Sequence, residues 1–279
     1  TIDELNAMRQ VLTATYQLSN TIDLADTVIW DYGRGWAPIG TSGSGAQFTG
    51  SFDGGGYTIR NLHINRPATS YQGLFGYAAT SSALRHIRLL DVNLRGGDYS
   101  GGLAGRADGV IEDVSVSGTV LSRSSHIGGL IGDARTATLH RVSAAVTVQG
   151  TQYTGGLVGY LYGGSELRHA YATGSVQGTD RVGGLVGYVY HFGSGGPIVS
   201  DSYSRASVSG ANDVGGLVGQ LTWGSIYRSY STGPVSGTVD SVGGLIGGSS
   251  SSTVSDAYWD TQTSGQEESA GGEGRTTAQ

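Results

Sequence analysis

Gly155-Gly156-Leu157-Val158-Gly159 is one copy of a phrase that this chain writes six times. The others are Gly101-Gly102-Leu103-Ala104-Gly105, Gly128-Gly129-Leu130-Ile131-Gly132, Gly183-Gly184-Leu185-Val186-Gly187, Gly215-Gly216-Leu217-Val218-Gly219 and Gly243-Gly244-Leu245-Ile246-Gly247. A divergent earlier copy is Gly73-Leu74-Phe75-Gly76, and from Leu74 to Leu245 the leucines step by 29, 27, 27, 28, 32 and 28 residues. A steady period in this range marks a solenoid with one supersecondary unit per repeat.

Residues 155–182 parse into three short strands, 156–160, 167–172 and 175–177, with turns at Gly163-Gly164, Gly174 and Gly178-Thr179-Asp180. Three strands per turn of about 28 residues predict an all-β, right-handed parallel β-helix, each strand pairing with its equivalent one rung away at about 4.8 Å. The hand follows from the preference of parallel crossovers. Stacking turns sequence columns into neighbours. Leu103, Leu130, Leu157, Leu185, Leu217 and Leu245 form one inward ladder, and Val120, Val148, Val176, Val208 and Val235 another. The glycine pair before each leucine is expected to permit a tight corner, either by positive φ or by close backbone approach.

Residues 1–12 read as a capping helix: Thr1 and Glu4 form a capping box, and Ile2, Leu5 and Met8 share one face. Residues 13–72 read as irregular first rungs, with strand candidates at Tyr16-Gln17-Leu18, Ile22-Asp23-Leu24 and Val28-Ile29-Trp30. The repeats proper occupy 73–260, and 261–279 is a polar tail expected to be flexible or to lead into a cap further on. All four segments belong to one continuous domain. Thr1 in place of an initiator Met suggests a piece of a larger parent chain.

Composition narrows the function. The net charge is −6, and all 16 basic residues are Arg, scattered rather than clustered, which argues against a nucleic-acid partner. Without Lys or Cys there is no lysine Schiff base, disulfide, thiolate metal site or cysteine nucleophile. No apolar run approaches the roughly 18 residues of a membrane helix, so direct membrane insertion is not expected.

The recurrent Gly-Gly-Leu-apolar-Gly resembles the GLUG motif of bacterial surface and secreted proteins. Among these are adhesins of the filamentous-haemagglutinin type and the regions flanking the catalytic domain in IgA-specific metallopeptidases. Tyr16-x-Leu18 with Ile22-Asp23-Leu24, Trp36-x-Pro38-Ile39-Gly40, Phe52-Asp53-Gly54 and Thr58-Ile59 look like the lead-in to such arrays. Tyr171-Ala172-Thr173-Gly174-Ser175-Val176 and Tyr258-Trp259-Asp260-Thr261 look like repeat and exit phrases, so the likeness covers nearly the whole chain. One departure is Arg168-His169-Ala170 and Tyr227-Arg228-Ser229, where the family often has Asn-Cys before the Tyr. The resemblance implies a parallel β-helix, an extracellular or cell-surface setting, and motif residues used for packing rather than catalysis.

Three constellations could carry chemistry. The column Asn61, His86, Asp113, Arg141, His169, Asp201, Arg228, Asp256 reads as a charge ladder, or alternatively as an acid–base site at Asp113, Arg141 and His169. The column Tyr171, Tyr203, Tyr230, Tyr258 reads as ordinary aromatic stacking, with sugar binding as the alternative. The third is the break in period: the 32-residue repeat carries its extra length within residues 188–197, and solenoid insertions map to loops on one face, often the binding face. Tyr160, Tyr162, Tyr188, Tyr190, His191, Phe192 and Trp223 are therefore the candidate ligand contacts, with a glycan as the expected ligand. Asp98, Asp180 and Asp240 are read as turn residues; structural calcium there is considered and not predicted, and no cofactor or metal ligand is assigned.

The expected function is a noncatalytic β-solenoid of a secreted or surface-displayed bacterial protein, acting as a rigid stalk or adhesive module. Its partner would be a glycan or protein on a host or neighbouring cell. The alternatives are a carbohydrate-active β-helix enzyme, lyase or hydrolase, and an accessory domain of a secreted protease.

Overall fold

The computed structural model describes residues 1–279. The period becomes a stack of parallel strands. Phe75–Ala78, Ala104–Ala107, Ile131–Arg135, Val158–Tyr162, Val186–Tyr190, Val218–Thr222 and Ile246–Ser250 pair in that order into one seven-stranded face. Register is kept from rung to rung, with Ile131 beside Val158, Val158 beside Val186 and Val186 beside Val218. The other strands close the remaining sides of the tube, and Ser175, for example, lies between Thr147 and Ser207.

The leucine ladder points inward as expected. Leu103, Leu130, Leu157, Leu185, Leu217 and Leu245 are all 0 % exposed. They belong to a single apolar cluster running from Leu5 to Trp259, so rungs and cap share one core. Continuity matters, because a solenoid rung cannot bury its apolar face alone.

The glycine pairs work through one of the two routes expected. None of them has a positive φ. A Cβ on Gly155 would instead collide with Val158 O in its own rung and stand 2.8 Å from Gly187 N in the next, and one on Gly156 would collide with Gly184 O. The phrase is therefore a close-approach device: successive backbones lie too near for a side chain.

Positive φ falls on other columns. His86, Asp113, Arg141, His169, Asp201, Arg228 and Asp256 all lie at φ 44–54°. Tyr71, Tyr99, His126, Tyr153, Arg181, Asp213 and Ser241 lie at φ 48–62°. A left-handed residue turns a strand sharply, and for a residue other than glycine it costs roughly 1–2 kcal/mol. Two corners of the tube are thus built from large polar and aromatic side chains held in that conformation on rung after rung.

The ends are closed differently from one another. Thr1 caps the helix Ile2–Ala7 with the reciprocal Glu4 bond, and Leu5 and Met8 plug the first rung. Below them Trp36, Phe48, Phe52 and Phe75 fill wide early rungs. Arg9 lies 4.2 Å over the Trp36 ring, and burial pulls its guanidinium down to about 10. The expected strand at Val28-Ile29-Trp30 is not one. Ala25–Ile29 is a 3-10 turn and Asp31 and Tyr32 make a left-handed turn at φ 50° and 57°, with Thr27 Oγ1 donating to Leu24 O.

The tail also departs from expectation. Residues 261–279 fold back over the last rung rather than hanging free. Gly244 N donates to Glu268 O, Ser269 Oγ accepts from Leu245 N and Ile246 N, and Glu273–Arg275 pairs with Tyr258–Asp260. Trp259 Nε1 donates to Gln266 O. The cause is the unmet hydrogen-bonding groups of a terminal strand, which a polar segment can satisfy as well as another rung can.

Candidate functional site

The second left-handed corner runs beside the seven-stranded face, and together they assemble an aromatic band that crosses five rungs. Tyr71 stacks on Tyr99 at 4.7 Å, His126 lies tilted over Tyr99 at 4.5 Å, and His126 meets Tyr153 edge-on at 4.7 Å. From the face, Tyr160 lies 5.3 Å from His126 and 5.6 Å from Tyr153, and Tyr188 lies 5.5 Å from Tyr153. Tyr160, Tyr162, Tyr188 and Tyr190 complete the cluster, with centroids 5.3–6.5 Å apart. The local reason is geometric. Outward positions of adjacent strands stand about 4.8 Å apart, a distance at which rings in register meet.

Arginines and carboxylates are set into this band. Arg106 holds both oxygens of Asp108 and lies 4.6 Å over Tyr77, whose hydroxyl donates to Asp108 Oδ2 at 2.7 Å. That burial and the carboxylate push the Tyr77 phenol up to about 12. Asp133 is fully buried with Arg135 Nε 2.9 Å from Oδ2, and desolvation outweighs the pair and raises its carboxyl to about 6. Burial within the ring stack takes the His126 imidazole down to about 4. Arg181 lies 5.3 Å from the Tyr153 ring and 5.1 Å from Tyr188, while holding Asp180 at 2.6 Å.

Of the seven residues singled out in the sequence, Tyr160, Tyr162, Tyr188 and Tyr190 are brought together. His191 touches their edge, 6.1 Å from Tyr162, with Nε2 3.1 Å from Ser194 O. Phe192 and Trp223 instead form a separate exposed pair, 6.3 Å apart and 79 % and 41 % exposed. The extra residues lie between Tyr190 and Ile198, as the period break implied, but they carry only His191 at the edge of the patch and the outlying Phe192, not its centre. Tyr71, Tyr99, His126 and Tyr153 were missed. Their signal was present in the sequence: each stands two positions before a repeat's first glycine, a column that reads Tyr, Tyr, His, Tyr.

The charge ladder lines the other left-handed corner. Arg141 Nε and Nη2 reach Asp113 Oδ1 and Oδ2 at 2.6 and 2.7 Å, and Nη2 also reaches Glu112 at 2.7 Å. Arg228 grips Asp201 in the same two-pronged way, at 2.6 and 2.8 Å. His86 Nδ1 stands 2.9 Å from Asp53 Oδ1. The guanidinium holds Asp113 below the usual carboxylate range and Asp201 at about 2, the opposite of what a proton-transferring acid needs. His169 packs edge-on to His140 at 5.1 Å. These pairs fit the charge ladder rather than the alternative acid–base site at Asp113, Arg141 and His169. The tyrosine column is a stack, with Tyr171, Tyr203 and Tyr230 5.2 and 5.1 Å apart and nearly parallel.

Comparison with known proteins agrees with this picture. The GLUG motif matches at residues 96–121 and 150–177. Halomucin of Haloquadratum walsbyi is 37% identical over 136 residues, which is 47% of this chain and 2% of that much longer protein. A solved structure from Bacteroides ovatus, named as a candidate immunoglobulin A1 protease, superposes with a TM-score of 0.59 at 18% identity. That superposition covers 90% of this chain and 82% of the other, a likeness of fold. No helix here is long and apolar enough to cross a membrane. Both motif matches fall on rungs of the tube, each ending in the strand that precedes a corner, and the chain is a parallel β-solenoid that carries two matches to the GLUG motif.

Proposed function

We propose that this chain is a noncatalytic solenoid segment of a secreted or surface-displayed protein, a rigid stalk whose aromatic face holds a glycan. The observation that carries the reading is the contiguous patch of Tyr153, Tyr160, Tyr162, Tyr188 and Tyr190, all half-buried and ring against ring. Packed phenols present fixed apolar surface with polar tips at little entropic cost, which suits the C–H faces and hydroxyls of sugars. Of the five hydroxyls, that of Tyr188 has a partner within the chain, 3.5 Å from Thr222 Oγ1. The rigid backbone beneath supports a stalk role, since every rung is hydrogen-bonded to the next.

A glycan array tests this. Tyr160→Ala, Tyr188→Ala and Tyr190→Ala combined should abolish the wild-type signal while far-UV circular dichroism stays unchanged. Tyr171→Ala with Tyr203→Ala, on the other stack, should leave the signal intact. Binding that survives the first set and fails with the second would refute the assignment.

A further inference from the structure

Most arginines in this chain are ion-paired, as Arg60 is with Asp23, Arg135 with Asp133 and Arg228 with Asp201; Arg9 lies over Trp36 and Arg205 over Tyr203. Arg88, Arg95 and Arg123 are without an ion pair or a ring, and two of these three line the same cleft. That cleft, of about 470 Å³, is bounded by Asn65, Pro67, Arg95, Gly96, Leu121, Ser122, Arg123 and Gln149, with no carboxylate among them. Asp98, three residues on from Arg95, is turned to a structural task, accepting from Ser125 N at 2.9 Å.

The residues come from four successive rungs. Asn65 lies beside Arg95, Arg95 beside Leu121 and Leu121 beside Gln149. Three rung spacings extend about 14 Å along the axis. The side-chain donors that line the cleft are two guanidiniums, two amides and the Ser122 hydroxyl, the last donating to Gly97 O at 3.1 Å, while Pro67 and Leu121 supply apolar surface. On a chain of net charge −6, such a spot attracts anions locally against the overall field. The cleft also adjoins the aromatic band along the chain: Tyr99 follows Arg95 by four residues and His126 follows Arg123 by three.

We propose that this cleft binds the acidic groups of a polysaccharide, a carboxylate or a sulfate ester, with Arg95 and Arg123 as charged donors and Asn65 and Gln149 as neutral ones. Guanidinium is the side chain whose fork matches either oxyanion. The inference rests on the glycan reading above and specifies its ligand as acidic. Its length across four rungs favours a polymer over a free ion.

The test is titration of the whole chain with polygalacturonate, dextran sulfate and neutral dextran at two salt concentrations. Wild type should bind at least one of the acidic polymers, more weakly at high salt. Arg95→Gln and Arg123→Gln should each weaken that binding about tenfold, the loss expected for one charge-assisted contact. Arg88→Gln removes the same charge from the opposite end of the strand Arg88–Gly96 that carries Arg95, at a position that does not line the cleft, and should change nothing. Preference between the two polymers identifies carboxylate or sulfate as the group recognised. Equal weakening by Arg88→Gln, or no binding of either acidic polymer by wild type, overturns the proposal. If neutral glycans on an array still respond to the tyrosine substitutions, the proposed function survives that failure.

Discussion

Replacing Gly155 with alanine, and separately Gly164 with alanine, asks whether the repeated phrase exists for close backbone approach. A Cβ at Gly155 would overlap Val158 O and lie 2.8 Å from Gly187 N. Both obstacles are backbone, one in the same rung and one in the next, and neither can rotate away. Overpacking typically costs about 1–3 kcal/mol, and with no flexible neighbour the upper end, about 3 kcal/mol, applies. At Gly164 the nearest atom to such a Cβ is Gly195 O at 3.9 Å, and φ is not positive. There the smaller unfolded-state entropy of alanine should leave the protein unchanged or more stable by up to about 1 kcal/mol. In urea unfolding followed by tryptophan fluorescence, Gly155→Ala should lower the midpoint by about 1 M, taking a slope of about 3 kcal/mol/M. Gly164→Ala should not lower it. Coincident midpoints for the two variants would refute the argument.

Leu157→Ala, at a fully buried position between Leu130 and Leu185, should cost about 2–5 kcal/mol and lower the same midpoint. One buried group and one half-buried group should shape the pH profile in opposite senses. Asp133, raised from 3.8 to about 6, gives stability complete below 3.8 and lost as pH climbs through about 6. His126, lowered from 6.5 to about 4, gives stability complete above 6.5 and lost as pH falls through about 4. Urea midpoints at pH 7 and pH 4 should therefore show Asp133→Asn gaining on wild type more at pH 7, and His126→Gln declining less than wild type on acidification. Offsets equal at both pH values would contradict both assignments. Deleting residues 261–279 uncovers the last rung, and should lower the unfolding midpoint and produce oligomers by light scattering, since an unpaired strand edge recruits other edges.

The architecture was legible because a solenoid writes its geometry into sequence distance. Residues about 28 apart are neighbours, so the spacing of Leu130, Leu157 and Leu185 alone implied strand pairing, rung count and an inward ladder. The capping box at Thr1 and Glu4 was legible for a similar reason, since its partners are three residues apart. Other features depend on which way the chain turns between strands, and no residue period reports that. Arg141 and Tyr153 give no sign in the sequence of a left-handed backbone, a conformation usually left to glycine. Only the folded tube shows that ion pairs line one such corner and ring stacking the other. The second corner carried Tyr71, Tyr99, His126 and Tyr153 beside Tyr160 and Tyr188, while Trp223 stands at a separate left-handed turn and pairs with Phe192. The sequence alone determined what repeats along the axis; the tertiary structure decided what meets around it, because lateral neighbours are set by corner angles rather than by the period.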